Sequence, residues 1–324
     1  MRRKMLTTAL AMALLGGLGF AAGAAGRPGA VAGAATTGPY PVGYDFLANA
    51  AQYGAVPSSP GENDWSCKPS AAHPEPVVLV HGTAGSAAGN WATYSELLAD
   101  QGYCVFAPTY GVPPQFASAG IPIGALGDMV ASAHELATFV AQVLSATGAR
   151  RVDLVGHSQG TLVPDYYVKF LGGAAQVDKY VSLAPLWHGE LAPEPGSAIS
   201  ALERAEGYDP TSTPLCQACS EMLTGSALLD AVDGGSGGPI VPGVAYTNIV
   251  TAHDELVVPY TSGIWPGMTN IVVQSRCPLD LSDHTEIASD PVGAAYVLNA
   301  LDPSHPVPVP CELVLPGVGP PAGT

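Results

Sequence analysis

The chain has 324 residues, 47% of them hydrophobic and only 12% charged, with Gly 39 and Pro 31. That Gly and Pro content stays below the level of low-complexity disorder, so a packed globular body is expected. Eleven basic residues against 27 acidic ones give a formal charge of −16, which excludes the clustered basic surface that nucleic-acid binding needs. Arg2, Arg3 and Lys4 precede an apolar run at residues 5–22, and Gly16, Gly17 and Gly19 interrupt it. Basic, apolar and small residues in this order predict an export signal, with cleavage after Ala24 or near Ala32 or Ala34. The Arg2-Arg3 pair also has the look of a twin-arginine signal. Residues 1–34 are therefore expected to be a signal peptide and flexible stretch, and residues 35–324 the working domain of a secreted, extracellular protein. No later segment is long and apolar enough to be an anchor. Losing Arg2, Arg3, Lys4 and Arg27 would make the mature protein still more acidic.

Val77 to Val80 is a short continuous apolar run, as a buried parallel strand requires. A helix is predicted over 91–100, a strand over 103–107 and a Pro/Gly-rich loop over 113–124. A second helix spans 129–144, where Val130, Ala133, Leu136, Ala137, Val140 and Leu144 share a face. Strands follow at 151–155 and 180–184, with a helix after Gly160 between them. The rhythm weakens over about 186–244, read as an insertion. Strand signals return at 246–250 and 270–274, and a Pro-rich tail begins at Asp302. Alternating strands and helices predict one α/β domain with a mostly parallel sheet and helices on both faces.

Gly156-His157-Ser158-Gln159-Gly160 fits the G-x-S-x-G pattern and lies between a strand and a helix. Ser158 is the expected nucleophile, exposed on a tight turn that the two glycines permit. The backbone N–H of Gln159 would face the oxygen of a tetrahedral intermediate, and Thr83, after Val77 to Val80, would supply the second donor. His81 beside it reads as structural. A serine hydroxyl needs a neutral imidazole to take its proton. In this arrangement the acid and then the histidine follow the serine. Among His188, His253, His284 and His305, only His284 follows the last strand with a loop between. Asp254, at the end of a strand, is the expected acid; Glu255 is its rival and Asp283 a weaker one.

Ser158 in its Gly-His-Ser-Gln-Gly setting, His81-Gly82-Thr83, Asp254-Glu255 before Val257-Val258-Pro259, and Asp283-His284 together resemble the exported class 2 bacterial lipases. They also resemble the fungal lipase B family, over about residues 44–311. The resemblance implies an α/β-hydrolase fold with a cap or lid insertion, ester hydrolysis with no cofactor, and Thr83 and Gln159 as oxyanion donors. By the same analogy Cys67 pairs with Cys104 and Cys277 with Cys311, leaving Cys216 with Cys219; on sequence alone, six cysteines allow 15 pairings. The sequence departs from the fungal pattern at His157 and over 186–244.

The expected activity is hydrolysis of triacylglycerols or other acyl esters, at an oil–water interface, by a monomer. Leu186, Trp187, His188, Leu256 and Val257 are the expected substrate contacts. No metal-ligand spacing is present, and oxygen-ligated calcium would leave no such cue. Cutinase-like or polyester-degrading esterases and extracellular acyltransferases would use the same residues. A binding protein on the same fold would have no reason to keep Ser158, Asp254 and His284 together.

Overall fold

The computed structural model describes residues 39–190, 216–234 and 238–321. The expected signal peptide at 1–34 lies outside the described residues, as do residues 191–215 and 235–237 of the expected insertion. Six parallel strands form one sheet: β1 Val77–Val80, β2 Val105–Phe106, β3 Val152–His157, β4 Val177–Leu183, β5 Ala245–Val250 and β6 Thr269–Val272. Their order is β2-β1-β3-β4-β5-β6. The eight α-helices of the described residues are α1 Phe46–Tyr53, α2 Ala87–Asp100, α3 Pro114–Ser118, α4 Met129–Thr147, α5 Val163–Phe170, α6 Gln217–Glu221, α7 Ala227–Asp233 and α8 Pro291–Leu301.

Alternation along the strands divides the core between the two faces of the sheet. Val77, Leu79, Val155, Val181 and Ile249 pack with Trp91, Tyr94 and Leu98 of α2 and with Val292 and Val297 of α8. Val78, Val80, Leu154 and Tyr180 pack instead with Leu136 and Val140 of α4 and Tyr167 and Val168 of α5. All four β1 residues are fully buried, each such side chain contributing about 1.5–3 kcal/mol. The chain leaves β1 toward β2 on one side and, after α4, re-enters at β3 on the other. The carboxyl ends of β1 and β3 therefore flank the point where strand order reverses, the place where sheets of this kind open a crevice.

The first helix of the β1–β2 crossover starts earlier than predicted, because the Ser86 side chain accepts from Gly89 N and caps it ahead of Trp91. The predicted 103–107 strand shrinks to two residues at the sheet edge. There Asn63 pairs its side-chain amide with both the N–H and the carbonyl of Ala107, each at 3.0 Å, covering what would be an open edge. At the opposite edge the predicted strand ends at Val272. The next residues form a 3-10 turn, with the Gln274 amide bonded to Thr251 Oγ1 at 3.0 Å and Asp280 O at 3.1 Å. Within the predicted 113–124 loop lies the short α3, started by Pro114.

Three cysteine pairs are bonded: Cys67–Cys104, Cys216–Cys219 and Cys277–Cys311, with Cα–Cα separations of 5.7, 5.4 and 5.0 Å. No helix among the described residues is long and apolar enough to cross a membrane. Several acidic side chains are buried. Asp153 meets Lys179 Nζ at 3.1 Å, and burial still raises its pKa to about 7. Glu286, whose Oε2 accepts from Phe46 N at 3.1 Å, is pushed up by burial to about 9.

Candidate active site

The turn after β3 is shaped by contacts that only glycine tolerates. A Cβ on Gly156 would lie 2.1 Å from Gly160 O, and one on Gly160 would lie 2.0 Å from Val80 O. Between them Ser158 adopts φ 55, a left-handed conformation that a serine holds only when its surroundings impose it. The result is a half-buried side chain aimed into the crevice, at the start of a 3-10 turn that runs on into α5.

His284 Nε2 lies 2.9 Å from Ser158 Oγ. Its Nδ1 lies 2.9 Å from both carboxylate oxygens of Asp254. Asp254 Oδ1 is fixed in turn by Leu256 N at 3.0 Å and Val257 N at 2.7 Å. The side chains of His284 and Asp254 are 4% and 2% exposed, so water does not compete for this pair. Burial alone would push the His284 pKa down. The hydrogen bond and charge of Asp254, helped by Glu255 and Glu190, outweigh burial and hold it above its ordinary value.

The rival acids have other partners. Glu255 Oε2 accepts the backbone N–H of His284 at 3.1 Å. Asp283 Oδ1 accepts from Thr285 N, Thr285 Oγ1 and Glu286 N, and so shapes the turn rather than meeting the imidazole. His305 pairs at the surface with Asp302, and His253 is exposed. His81 is fully buried and stacked on Tyr110, with ring centroids 4.4 Å apart; burial lowers its pKa to about 4.

Thr83 sits beside the serine turn, and its Oγ1 donates to Gln159 Oε1 at 2.8 Å. That bond ties together the two residues expected to offer backbone N–H groups to an oxyanion. Above them Met222 Sδ approaches Thr83 Oγ1 at 3.7 Å. This methionine belongs to the α6–α7 segment, which Glu221 anchors by accepting Met129 N at 2.8 Å, at the start of α4. The same segment reaches the loop after β4 through Thr224 Oγ1, which donates to His188 O at 2.9 Å.

The expected substrate contacts separate into two groups. Leu186, Trp187 and Val257 are buried, and Trp187 Nε1 donates to Asn248 Oδ1 at 2.9 Å. His188 and Leu256 are exposed, the former stacked on Trp265 with ring centroids 4.6 Å apart. Two residues at the site carried no signal for it in the sequence. Asn90, in the first turn of the largely buried α2, accepts from Gly82 N through its Oδ1 at 3.2 Å. His157, noted only as a departure from a pattern, reaches the main chain of His284 at 2.9 Å. No group of three or more His, Cys, Asp or Glu among the described residues is arranged to hold a metal ion.

The sequence model of the family described as Lipase (class 2) matches residues 74–296. Among solved structures, the fold is similar to that of lipase B from Aspergillus fumigatus, with a TM-score of 0.55 at 19% identity. That match covers 79% of this chain and 62% of the fungal one, so the chain spans under two thirds of that relative's length. The mature form of lipase BlEst2 from Bacillus licheniformis matches at 18% identity with a TM-score of 0.49, covering 71% of this chain and 92% of the other. At 19% identity the likeness to the fungal lipase speaks for the fold alone, an α/β-hydrolase one.

Proposed function

The chain belongs to the class 2 lipase family, and from that premise we propose that it is a carboxylic ester hydrolase working through a serine acyl-enzyme. The observation that carries the reading is the unbroken hydrogen-bond chain from Ser158 Oγ through His284 to Asp254, at 2.9 Å per step. Ser158 Oγ attacks the ester carbonyl carbon as its proton passes to His284 Nε2. Asp254 keeps the proton on Nδ1 and stabilises the imidazolium. The carbonyl oxygen becomes an oxyanion and accepts from the backbone N–H groups of Thr83 and Gln159. The C–O bond then breaks, and the alcohol leaves with the proton held by His284. A water molecule, deprotonated by the same imidazole, releases the acid and restores Ser158.

Acyl esters of lipids, triacylglycerols among them, are the proposed substrates, taken by a monomer at an oil–water surface with no cofactor. Exposed Leu256 and Val258, at 44% and 51%, beside the Asp254 loop suit such a surface. Residues 1–34 are the proposed export signal and residues 35–324 one hydrolase domain carrying an insertion at about 186–244. The three disulfides fit an oxidising, extracellular setting.

The test uses the protein, its Ser158→Ala variant, a soluble short-chain ester and a serine-directed phosphonate. The expected outcome is phosphonate bound covalently at Ser158 in the parent, and a loss of turnover of about 10⁴-fold or more in the variant without loss of fold. Hydrolysis retained by the variant would overturn the assignment.

A further inference from the structure

His157 immediately precedes Ser158, yet its ring nitrogens meet the Asn90 side chain and the His284 carbonyl, not Ser158 Oγ or the His284 imidazole. Its ring is buried, 4% exposed, under the loop after β1: a Cβ on Gly82 would come within 3.3 Å of its Nδ1. Its Nε2 lies 2.9 Å from the carbonyl oxygen of His284, and the two rings are 5.1 Å apart, centroid to centroid. Its Nδ1 lies 3.1 Å from the Asn90 side chain, which also meets Gly82 N. One ring thus touches three separate pieces of the site: the serine turn, the loop carrying Thr83, and the loop carrying His284.

The proton on this ring can be assigned. Burial, reinforced by the neighbouring His284, lowers its pKa to about 3, so the ring is neutral and carries one N–H. A carbonyl oxygen only accepts. The proton therefore sits on Nε2 and is donated to His284 O. Nδ1 is left as an acceptor facing Asn90, whose amide nitrogen has no hydrogen-bond partner among the described residues. A half-turn of that amide aims the nitrogen at Nδ1 in exchange for the longer contact with Gly82.

With this bond every polar group of His284 is held. Its N–H goes to Glu255, its Nδ1 to Asp254, its Nε2 to Ser158 and its carbonyl to His157. The last of these is the one that links the imidazole-bearing loop to the serine turn without using the atoms that react. We propose that His157 is a positioning residue: by donating Nε2–H to the His284 carbonyl, it holds the imidazole in register with both Ser158 Oγ and Asp254 throughout turnover. The inference rests on the reading of Ser158 as nucleophile and His284 as base.

The test compares His157→Phe, which fills the space without a donor, with His157→Gln, whose amide N–H has the reach of Nε2. Each is assayed on p-nitrophenyl butyrate across pH, with rates expressed per site titrated by a phosphonate, so that misfolded protein does not count. His157→Phe is expected to lose about tenfold to a hundredfold in kcat, the scale of a small misplacement of reacting groups, with KM nearly unchanged. His157→Gln is expected to recover most of that loss. An imidazole drifting from Asp254 also loses part of what raises its pKa, so the acid limb of kcat/KM should move to lower pH in His157→Phe and stay in place in His157→Gln. A merely structural role would lower the number of titratable sites and leave the limb where it was.

Should His157→Phe yield no titratable sites, His157→Asn carries the same comparison, because its amide reaches Asn90 but not the His284 carbonyl. Parent-like kcat and an unmoved acid limb in the donor-less variant, or equal losses in His157→Gln and His157→Phe, would overturn the proposal. Absence of phosphonate labelling at Ser158 in the parent protein would overturn it together with the reading beneath it, and so marks the two failures apart.

Discussion

At the scale of single residues, close backbone contacts shape the serine turn. Gly160 shows this best, since the carbonyl of Val80 stands where its side chain would begin. The obstacle is backbone of a fully buried strand and cannot swing aside. Gly160→Ala is therefore expected to destabilise the fold by about 2 kcal/mol or more and to lower activity as the serine turn shifts. Urea denaturation of parent and variant, read with kcat, checks both effects; a variant of parental stability would show that the strand can move. The same residues explain why Ser158 was legible in the sequence. Two glycines at fixed spacing around a serine have few other uses between a strand and a helix. Asn90 was not legible, because it precedes the helix predicted from Trp91 and nothing in the sequence marks it as a polar side chain that meets a loop from another strand.

At the scale of elements, the strands were readable where a short apolar run stood between turn-forming residues, as at Val77–Val80 between Pro76 and His81-Gly82. The helix Pro291–Leu301 was missed because it is buried along most of its length and so has no polar face to give it a period. Its Ala and Gly residues let it lie close to the sheet, and Asp290 caps it by accepting Val292 N and Gly293 N, both at 2.8 Å. The helix Phe46–Tyr53 was missed for the opposite reason: none of its residues is fully buried. The disulfides differ sharply in the loops they close, with sequence separations of 37, 3 and 34. Constraint of the unfolded chain grows with loop length. Replacing Cys67 and Cys104 together by Ser should cost about 2–4 kcal/mol, and replacing Cys216 and Cys219 about half as much. Calorimetry of the two double variants should rank their melting temperatures in that order; the reverse ranking would mean that the short bridge holds more than its own loop.

At the scale of the whole molecule, acidity is carried inward as well as over the surface. Glu286 is raised to about 9, and Asp153, Glu62 and Asp233 to about 7, chiefly by burial. A carboxyl raised in the folded state stabilises fully below its ordinary pKa, and that contribution is lost as pH climbs through the folded value. His81 and His157 work in the other direction. Lowered by burial to about 4 and about 3, they stabilise above the ordinary imidazole value and lose that contribution as pH falls toward those values. The carboxyls outnumber the histidines, so the melting temperature is expected to rise from about pH 9 to a maximum near about pH 5 and to fall below about pH 4. Thermal scans across this range check it; a maximum above pH 8 would show that the buried acids are ionised and paired in the folded protein.

The raised pKa of His284 gives these opposing titrations a practical meaning. In the proposed mechanism its imidazole takes the Ser158 proton only when deprotonated, so turnover is expected to gain toward the alkaline side while the fold gains toward the acid side. Mild acid is then the condition in which the folded state gains and the proposed turnover falls, with no change in covalent structure.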